Sequence, residues 1–164
     1  MDANNKTTEN TDLRSDEYDL LKLDNQLCFS LYVCSKEIIR KYKPLLDPYG
    51  LTYTGYIILL ALWEEDNITV KELGKRLYLD SGTLTPMLKK MEAQGYITRT
   101  RSASDERNVY IALTQKGKNL KTDAVEIPKC LICELQLTPQ FAYELLQGLH
   151  TMMQKLGAGD FLKE

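Results

Sequence analysis

Four cysteines, Cys28, Cys34, Cys130 and Cys133, are the residues of this 164-residue chain best suited to covalent chemistry. A thiol attacks a peroxide O–O bond as its thiolate, and the oxidised sulfur can then condense with a second thiol. On a helix, the neighbours of Cys28 at three and four positions are Asp24, Asn25, Leu31 and Tyr32. None is a cation and Asp24 opposes ionisation, so activation of this sulfur has to come from residues distant in sequence. Cys34 falls within an apolar stripe and reads as core. Cys130-x-x-Cys133 has the spacing of half a zinc site, yet His150 is the only histidine and no second close cysteine pair exists, so neither a metal nor a cofactor is expected. No βαβ pattern surrounds the pair, which argues against a thioredoxin-like dithiol.

A second group of residues has the chemistry for nucleic acid. Net charge is −2 and the pI about 5.6, so any phosphate partner must meet a local excess of positive charge. One exists: the segment from Lys71 to Arg107 holds eight Lys or Arg against five acids, a net +3 that leaves −5 for the rest. Ser81, Thr83 and Thr85 are small hydroxyl residues able to approach base edges and phosphates closely, and Lys89 and Lys90 follow one to two turns later. Arg99 and Arg101 alternate to one face of a strand, with Arg107 at the far side of the polar loop 102–107. A hairpin bearing such an arginine can enter the minor groove.

The elements that must position these residues follow from periodicity and caps. From Tyr18 to Leu46, Leu20, Leu23, Leu27, Leu31, Cys34, Ile38, Tyr42 and Leu45 recur in steps of three and four, one face of a long helix that Pro44 and Asp47-Pro48-Tyr49-Gly50 disturb and end. The run from Tyr53 to Glu65 is apolar nearly all round, as a buried helix requires. Thr69-x-x-Glu72 is a capping box for a helix over Val70 to Leu77, and Asp80 or Ser81 caps the next, Ser81 to Gln94, which Gly95 ends. Tyr96 to Arg101 and Asn108 to Leu113 read as a hairpin. Thr114 caps a helix kinked or divided at Pro128, and Thr138-Pro139 opens another that carries Phe141, Leu145, Leu149, Met152 and Leu156 on one stripe.

The apolar faces at both chain ends exceed what one small domain covers, and a two-fold homodimer is the economical arrangement. The expected fold class is mainly α (α+β): a winged helix-turn-helix over 51–113, with dimerisation helices from 17–50 and 114–164. Residues 1–16, polar with a single leucine, are expected to form a disordered tail. The longest mostly apolar run, 56–63, falls far short of the ~20 residues of a membrane span and no secretory signal is evident, so a cytoplasmic protein with reduced thiols and no membrane contact is expected.

The run LYLDSGTLTPMLKKMEAQGYITRTRSASDERNVYIALTQKG, from Leu77 to Gly117, resembles the recognition-helix and wing signature of the MarR family, in which Asp-Glu-Arg precedes a strand and Leu-Thr-x-x-Gly. The resemblance extends over nearly everything after residue 18. Leu23-Asp24-Asn25-Gln26-Leu27-Cys28-Phe29 resembles the segment that carries the peroxide-sensing cysteine in that family's organic hydroperoxide resistance regulators (OhrR). The resemblance implies Cys28 as redox sensor, Tyr32, Tyr42 and Tyr53 as tyrosines that hold its sulfur, Arg107 as minor-groove residue and Asp105 as its orienting partner. It also implies a repressor of an inverted-repeat DNA operator, an organic hydroperoxide as oxidant, and Cys130, Cys133 or a low-molecular-weight thiol as the group that resolves oxidised Cys28. Two other functions share these features: release by a small aromatic ligand in a tyrosine-lined cleft, and turnover of peroxide as a thiol peroxidase. The second leaves the helix pair, the +3 segment and the wing without a purpose, and no enzyme activity is expected.

Overall fold

A computed structural model of the chain describes residues 18–105 and 107–157; the expected tail, 1–16, lies outside them. Two compact units divide between Lys41 and Tyr42. In the first, a single 3-10 turn, Leu23–Asn25, precedes helix α1, Leu27–Leu46, which continues into the second. The continuous helix predicted from Tyr18 is therefore interrupted after Asp19 and resumes at Leu27. Gln26 is extended (φ −92°, ψ 107°), and the Asn25 Nδ2 donates to the Asp19 carbonyl at 2.8 Å while the Gln26 amide donates to that of Leu20. Polar side chains that satisfy local carbonyls give the backbone an alternative to helix. Pro44 is tolerated within the last turn of α1, and the chain leaves through a turn at Asp47–Tyr49.

In the second unit, α2 (Tyr53–Glu64) is capped by Thr52, whose hydroxyl accepts from the Gly55 N–H at 3.2 Å. Its all-round apolarity has the expected result: Gly55, Tyr56, Ile58, Leu59, Ala61 and Leu62 are buried. Around it pack Leu73 of α3 (Val70–Leu77), Leu84, Leu88 and Met91 of α4 (Ser81–Ala93), and Ile97 and Ile111 of the sheet. Strands β1 (Ile68–Thr69), β2 (Ile97–Arg101) and β3 (Val109–Leu113) form an antiparallel sheet in the order β1-β3-β2, with Ile111 opposite both Ile68 and Arg99. β1 has no counterpart in the sequence pattern; at two residues it has no alternation to read and exists only through its pairing with β3. This is the winged helix-turn-helix architecture, mostly helical with one small sheet.

Helices α5 (Gln115–Ala124), α6 (Glu126–Glu134) and α7 (Pro139–Lys155) complete the described chain. The division between α5 and α6 falls at Val125, so Pro128 sits in the first turn of α6, where its missing N–H has no intrahelical partner to lose. Leu113-Thr114-x-x-Gly117 joins wing to α5. The Thr114 hydroxyl accepts from the Gly117 N–H at 3.1 Å, and a Cβ on Gly117 would lie 2.2 Å from the Tyr96 carbonyl oxygen. Only glycine lets α5 start this close to β2. The Gly117 carbonyl in turn accepts from the Trp63 indole N–H at 2.9 Å.

Burial is uneven. α7 has no buried residue, and Phe141, Leu145 and Leu149 on its apolar stripe are exposed; α1 buries only Leu46. Cys34, expected in the core, is exposed in the single chain, as are Leu27, Val33 and Ile39 of the same helix. Among the described residues no single helix is both long and apolar enough to cross a membrane.

Candidate nucleic-acid interface and thiol site

The turn between α3 and α4 is built from close backbone approach. Thr69 and Glu72 form the predicted capping box: the Glu72 N–H donates to the Thr69 hydroxyl at 3.1 Å and the Thr69 N–H to Glu72 Oε2 at 2.8 Å. The Thr69 N–H and the Thr69 hydroxyl, which donates to the same oxygen at 2.7 Å, hold the Glu72 carboxyl below its ordinary pKa. At the other end the Leu79 N–H donates to the Gly74 carbonyl at 2.9 Å, Tyr78 adopts the left-handed conformation (φ 55°), and a Cβ on Gly74 would stand 2.7 Å from the Leu79 carbonyl. Asp80 caps α4, accepting the Thr83 N–H and the Thr83 hydroxyl, both at 2.9 Å, and these bonds keep its carboxyl below the usual range.

With Leu84, Leu88 and Met91 facing the core, α4 carries Ser81, Thr85 and Lys89 at intervals of four along the flank beside that face. Ser81, Thr83, Lys89 and Lys90 are exposed and Thr85 half-buried. The Thr83 hydroxyl donates its proton to Asp80 and so presents acceptor lone pairs to a ligand.

In the wing, Asp105 organises the loop. Its Oδ1 accepts both the backbone N–H and the Nε–H of Arg107 at 3.1 Å, and its Oδ2 accepts from Asn108 Nδ2 at 3.3 Å. Arg107 is thereby tethered at its base while its side chain remains 91% exposed. Arg101 is exposed, but Arg99, expected beside it as a DNA contact, is turned inward: its N–H donates to Glu92 Oε1 at 3.1 Å, its Nη1 lies 3.7 Å from Glu92 Oε2, and its side chain is 20% exposed. Arg99 shares the strand face of buried Ile97, over the end of α4, whereas Arg101 reaches past it.

A cleft of about 440 Å³ opens between α3, the start of α4 and the wing tip, with Lys71, Lys75, Ser81 and Arg107 on its walls and Gly74 and Leu79 at its side. Lys71 and Lys75 belong to the basic segment, yet charge counting alone gives them no role. Their spacing of four on the exposed side of α3 is the signal that sets them apart.

The thiol chemistry is spread over other elements. Cys28 is exposed on α1, and Tyr32, one turn on, is 61% exposed. In the second unit Tyr42 packs on Tyr53 (ring centroids 4.9 Å, 53° between planes) and on Tyr56 (5.7 Å, 39°). Burial, then repulsion from the Tyr53 and Tyr56 phenolates, raises the Tyr42 pKa to about 12; burial also raises those of Tyr53 and Tyr56. The shift extends into the alkaline range the protonated, hydrogen-bond-donating form that a phenol already has at neutral pH. Tyr56, 4% exposed, is absent from the sequence-derived site, although its place three residues after Tyr53 puts the two on one face of α2. Cys130 and Cys133 are exposed on α6, three residues apart. Among the described residues no group of three His, Cys, Asp or Glu is arranged to hold a metal ion.

Comparison with known proteins matches this architecture. The family model described as Transcriptional regulator SarA/Rot matches residues 40–124. The organic hydroperoxide resistance transcriptional regulator of Bacillus subtilis (strain 168) is 50% identical over 140 residues, 85% of this chain and 95% of that protein. A MarR transcriptional regulator from Methanosarcina mazei Go1 superposes with a TM-score of 0.67 at 26% identity, over 77% of this chain and 86% of that one. The chain belongs to the MarR family of winged-helix transcription regulators. Within the family it sits with the organic hydroperoxide resistance regulators. AbfR of Staphylococcus epidermidis superposes in its reduced, DNA-bound structure with a TM-score of 0.72 at 37% identity, over 85% of this chain and 98% of that one. In its disulfide-formed structure the TM-score is 0.61 at 36% identity, over 87% and 98%. Membership makes this MarR-family chain a DNA-binding transcription regulator with a winged helix-turn-helix.

Proposed function

We propose that this chain is a homodimeric repressor that leaves an inverted-repeat DNA operator when an organic hydroperoxide oxidises Cys28. The observation that carries the reading is the Tyr42–Tyr53–Tyr56 cluster, three phenols held as proton donors, in a chain whose Cys28 has no cation among its helical neighbours. In this reading Tyr42 and Tyr53, of the same or of the partner subunit, would donate hydrogen bonds to the sulfur anion and supply the activation that Cys28 lacks locally, with Tyr32 one turn along α1. The thiolate attacks the distal peroxide oxygen, the O–O bond breaks, and sulfenic acid and an alcohol result. Cys130, Cys133 or a low-molecular-weight thiol then condenses with the sulfenic acid, forming a disulfide and releasing water. A bulkier sulfur partner displaces the tyrosines, and the two recognition helices lose their common register. The AbfR relative, solved both reduced on DNA and in a disulfide-formed state, supports this sequence of states. The protein is consumed once per signal and does not turn over peroxide.

Residues 17–50 and 114–164 form the dimerisation region in this reading, and the uncovered apolar stripes of α1 and α7 support it. Residues 51–113 read DNA: Ser81, Thr83, Thr85, Lys89 and Lys90 in the major groove, Arg107 oriented by Asp105 in the minor groove, Arg101 and the Lys71–Lys75 pair on phosphates. The half-sites lie about one helical turn, ~34 Å, apart. The deciding experiment titrates a selected operator with reduced protein and with protein treated with cumene hydroperoxide, alongside mass spectrometry of Cys28. Treated wild type releases DNA with Cys28 oxidised, while Cys28→Ser binds normally and ignores the oxidant. A Cys28→Ser protein that still releases its operator with the same dose dependence would put a small aromatic ligand in place of oxidation.

A further inference from the structure

Arg99 is the least comfortable ion in the second unit. Its guanidinium is four-fifths withdrawn from water, its nearest carboxylate oxygen is 3.7 Å away on Glu92, and its Nε is the only buried side-chain nitrogen or oxygen among the described residues without a hydrogen-bond partner. A half-buried guanidinium with an unpartnered Nε carries a desolvation cost, and an apolar residue on the same strand face as Ile97 would pack without it. What the charge achieves is a connection. Glu92 stands near the end of α4, the recognition helix, and Arg99 at the centre of β2, opposite Ile111. Glu92 accepts the backbone N–H of Arg99 and pairs with its side chain, so one carboxylate joins helix and wing at two points on the same residue.

We propose that the Glu92–Arg99 pair is a positioning strut that fixes the wing relative to the recognition helix, so that α4 and Arg107 engage one DNA site together. The proposal rests on the DNA-binding reading above and assigns Arg99 no contact with DNA. Operator recognition requires both elements in register, whereas random duplex is held mainly through phosphates and tolerates misregister. The strut therefore acts on the ratio of operator to random affinity. It does not act on the number of counterions released.

Charge alone predicts the opposite sign. Glu92→Gln removes an acid from a DNA-facing module, and by Coulomb attraction it would tighten binding to every duplex. The strut predicts looser binding to the operator. The side-chain amide oxygen that this substitution leaves at position 92 can still accept the Arg99 N–H, which keeps the strand-to-helix hydrogen bond in place while the ion pair is lost.

The experiment uses full-length protein and an operator selected by wild type from a random duplex library. Operator and random-duplex affinities are measured over a range of salt for wild type, Glu92→Gln, Arg99→Met, the double variant and Arg107→Ala, with thermal melting of each. The strut variants should lose roughly tenfold in operator-to-random ratio with the salt slope of wild type, and the double variant should be no worse than Arg99→Met alone. Arg107→Ala should instead lower the salt slope by about one contact. A lowered slope in Arg99→Met would make Arg99 a phosphate ligand and overturn the strut. An unchanged ratio in Glu92→Gln, whose carboxylate is 42% exposed and whose melting temperature checks the fold, would overturn it as well. Wild type that selects no duplex would remove the DNA-binding reading and the strut with it.

Discussion

Helix α2 buries six of its twelve residues within the second unit, whereas α7, five residues longer and with Phe141, Leu145 and Leu149 recurring along it, buries none. Both helices carry apolar surface, but they differ in what covers it. α2 is enclosed by α3, α4 and the sheet of its own chain, while the α7 stripe has no cover among the described residues. The winged-helix part is thus a self-sufficient core, whereas the apolar stripe of α7 is the surface that the proposed homodimer would cover.

The strongest way to break this comparison is to charge the uncovered stripe. Leu145→Glu with Leu149→Glu should separate the proposed dimer, since two leucines buried there would contribute about 3–6 kcal/mol of association and their loss would weaken it roughly a hundredfold or more. Sedimentation velocity should show monomer, with circular dichroism of the winged-helix core retained; a dimer at micromolar concentration would remove α7 from the interface. Gly117→Ala is the converse, an insult to the self-sufficient part. The added Cβ meets a carbonyl oxygen at 2.2 Å, and the repacking should cost roughly 1–3 kcal/mol, read as a lowered melting temperature at unchanged oligomeric state.

Smaller effects sharpen the picture. Thr69→Ala removes the cap of α3 and should cost about 1 kcal/mol in chemical denaturation without altering dimerisation. The tyrosine cluster gives a pH signature in the alkaline range. Because the folded Tyr42 pKa is raised to about 12 from 10.0, the native state holds that proton longer than the unfolded state does. Its stabilising contribution is complete below pH 10 and is lost as pH rises from 10 to 12, measurable as falling stability together with late phenolate absorbance. Tyr42→Phe should flatten that decline. Glu72 has the opposite sign: with a folded pKa below 4.5, its contribution is present above that value and fades as pH falls through the folded pKa.

What could be read from the residues was local chemistry. Thr69 with Glu72, Thr114 with Gly117 and Thr138 with Pro139 mark helix starts because a cap is complete within four residues. The all-round apolarity of Tyr53 to Glu65 marks the central helix for the same reason. Features that depend on distant partners were not readable. β1 exists because β3 lies beside it, and Arg99 faces inward because Glu92, seven positions earlier, returns to it across the turn at Gly95. The break at Gln26 depends on Asn25 and Gln26 reaching back six residues to carbonyls that a helical pattern would have used otherwise. At the candidate sensing site the identity of Cys28, Tyr42 and Tyr53 was visible through the family resemblance, but the third ring, Tyr56, came into view only once Tyr42 was seen packed against both tyrosines of α2.

Trp63 is the only tryptophan in the chain, and it stands at one joint: its indole donates to Gly117 at the start of α5 while its own carbonyl accepts from Lys121 Nζ at 3.1 Å. The molecule therefore carries a single indole fluorophore at the seam between its central helix and the first of its C-terminal helices. Its emission colour and quenching report on that seam alone, without labels and without DNA. A change in Trp63 emission on mixing with a ligand, oxidant or duplex would show that the seam between α2 and α5 moves.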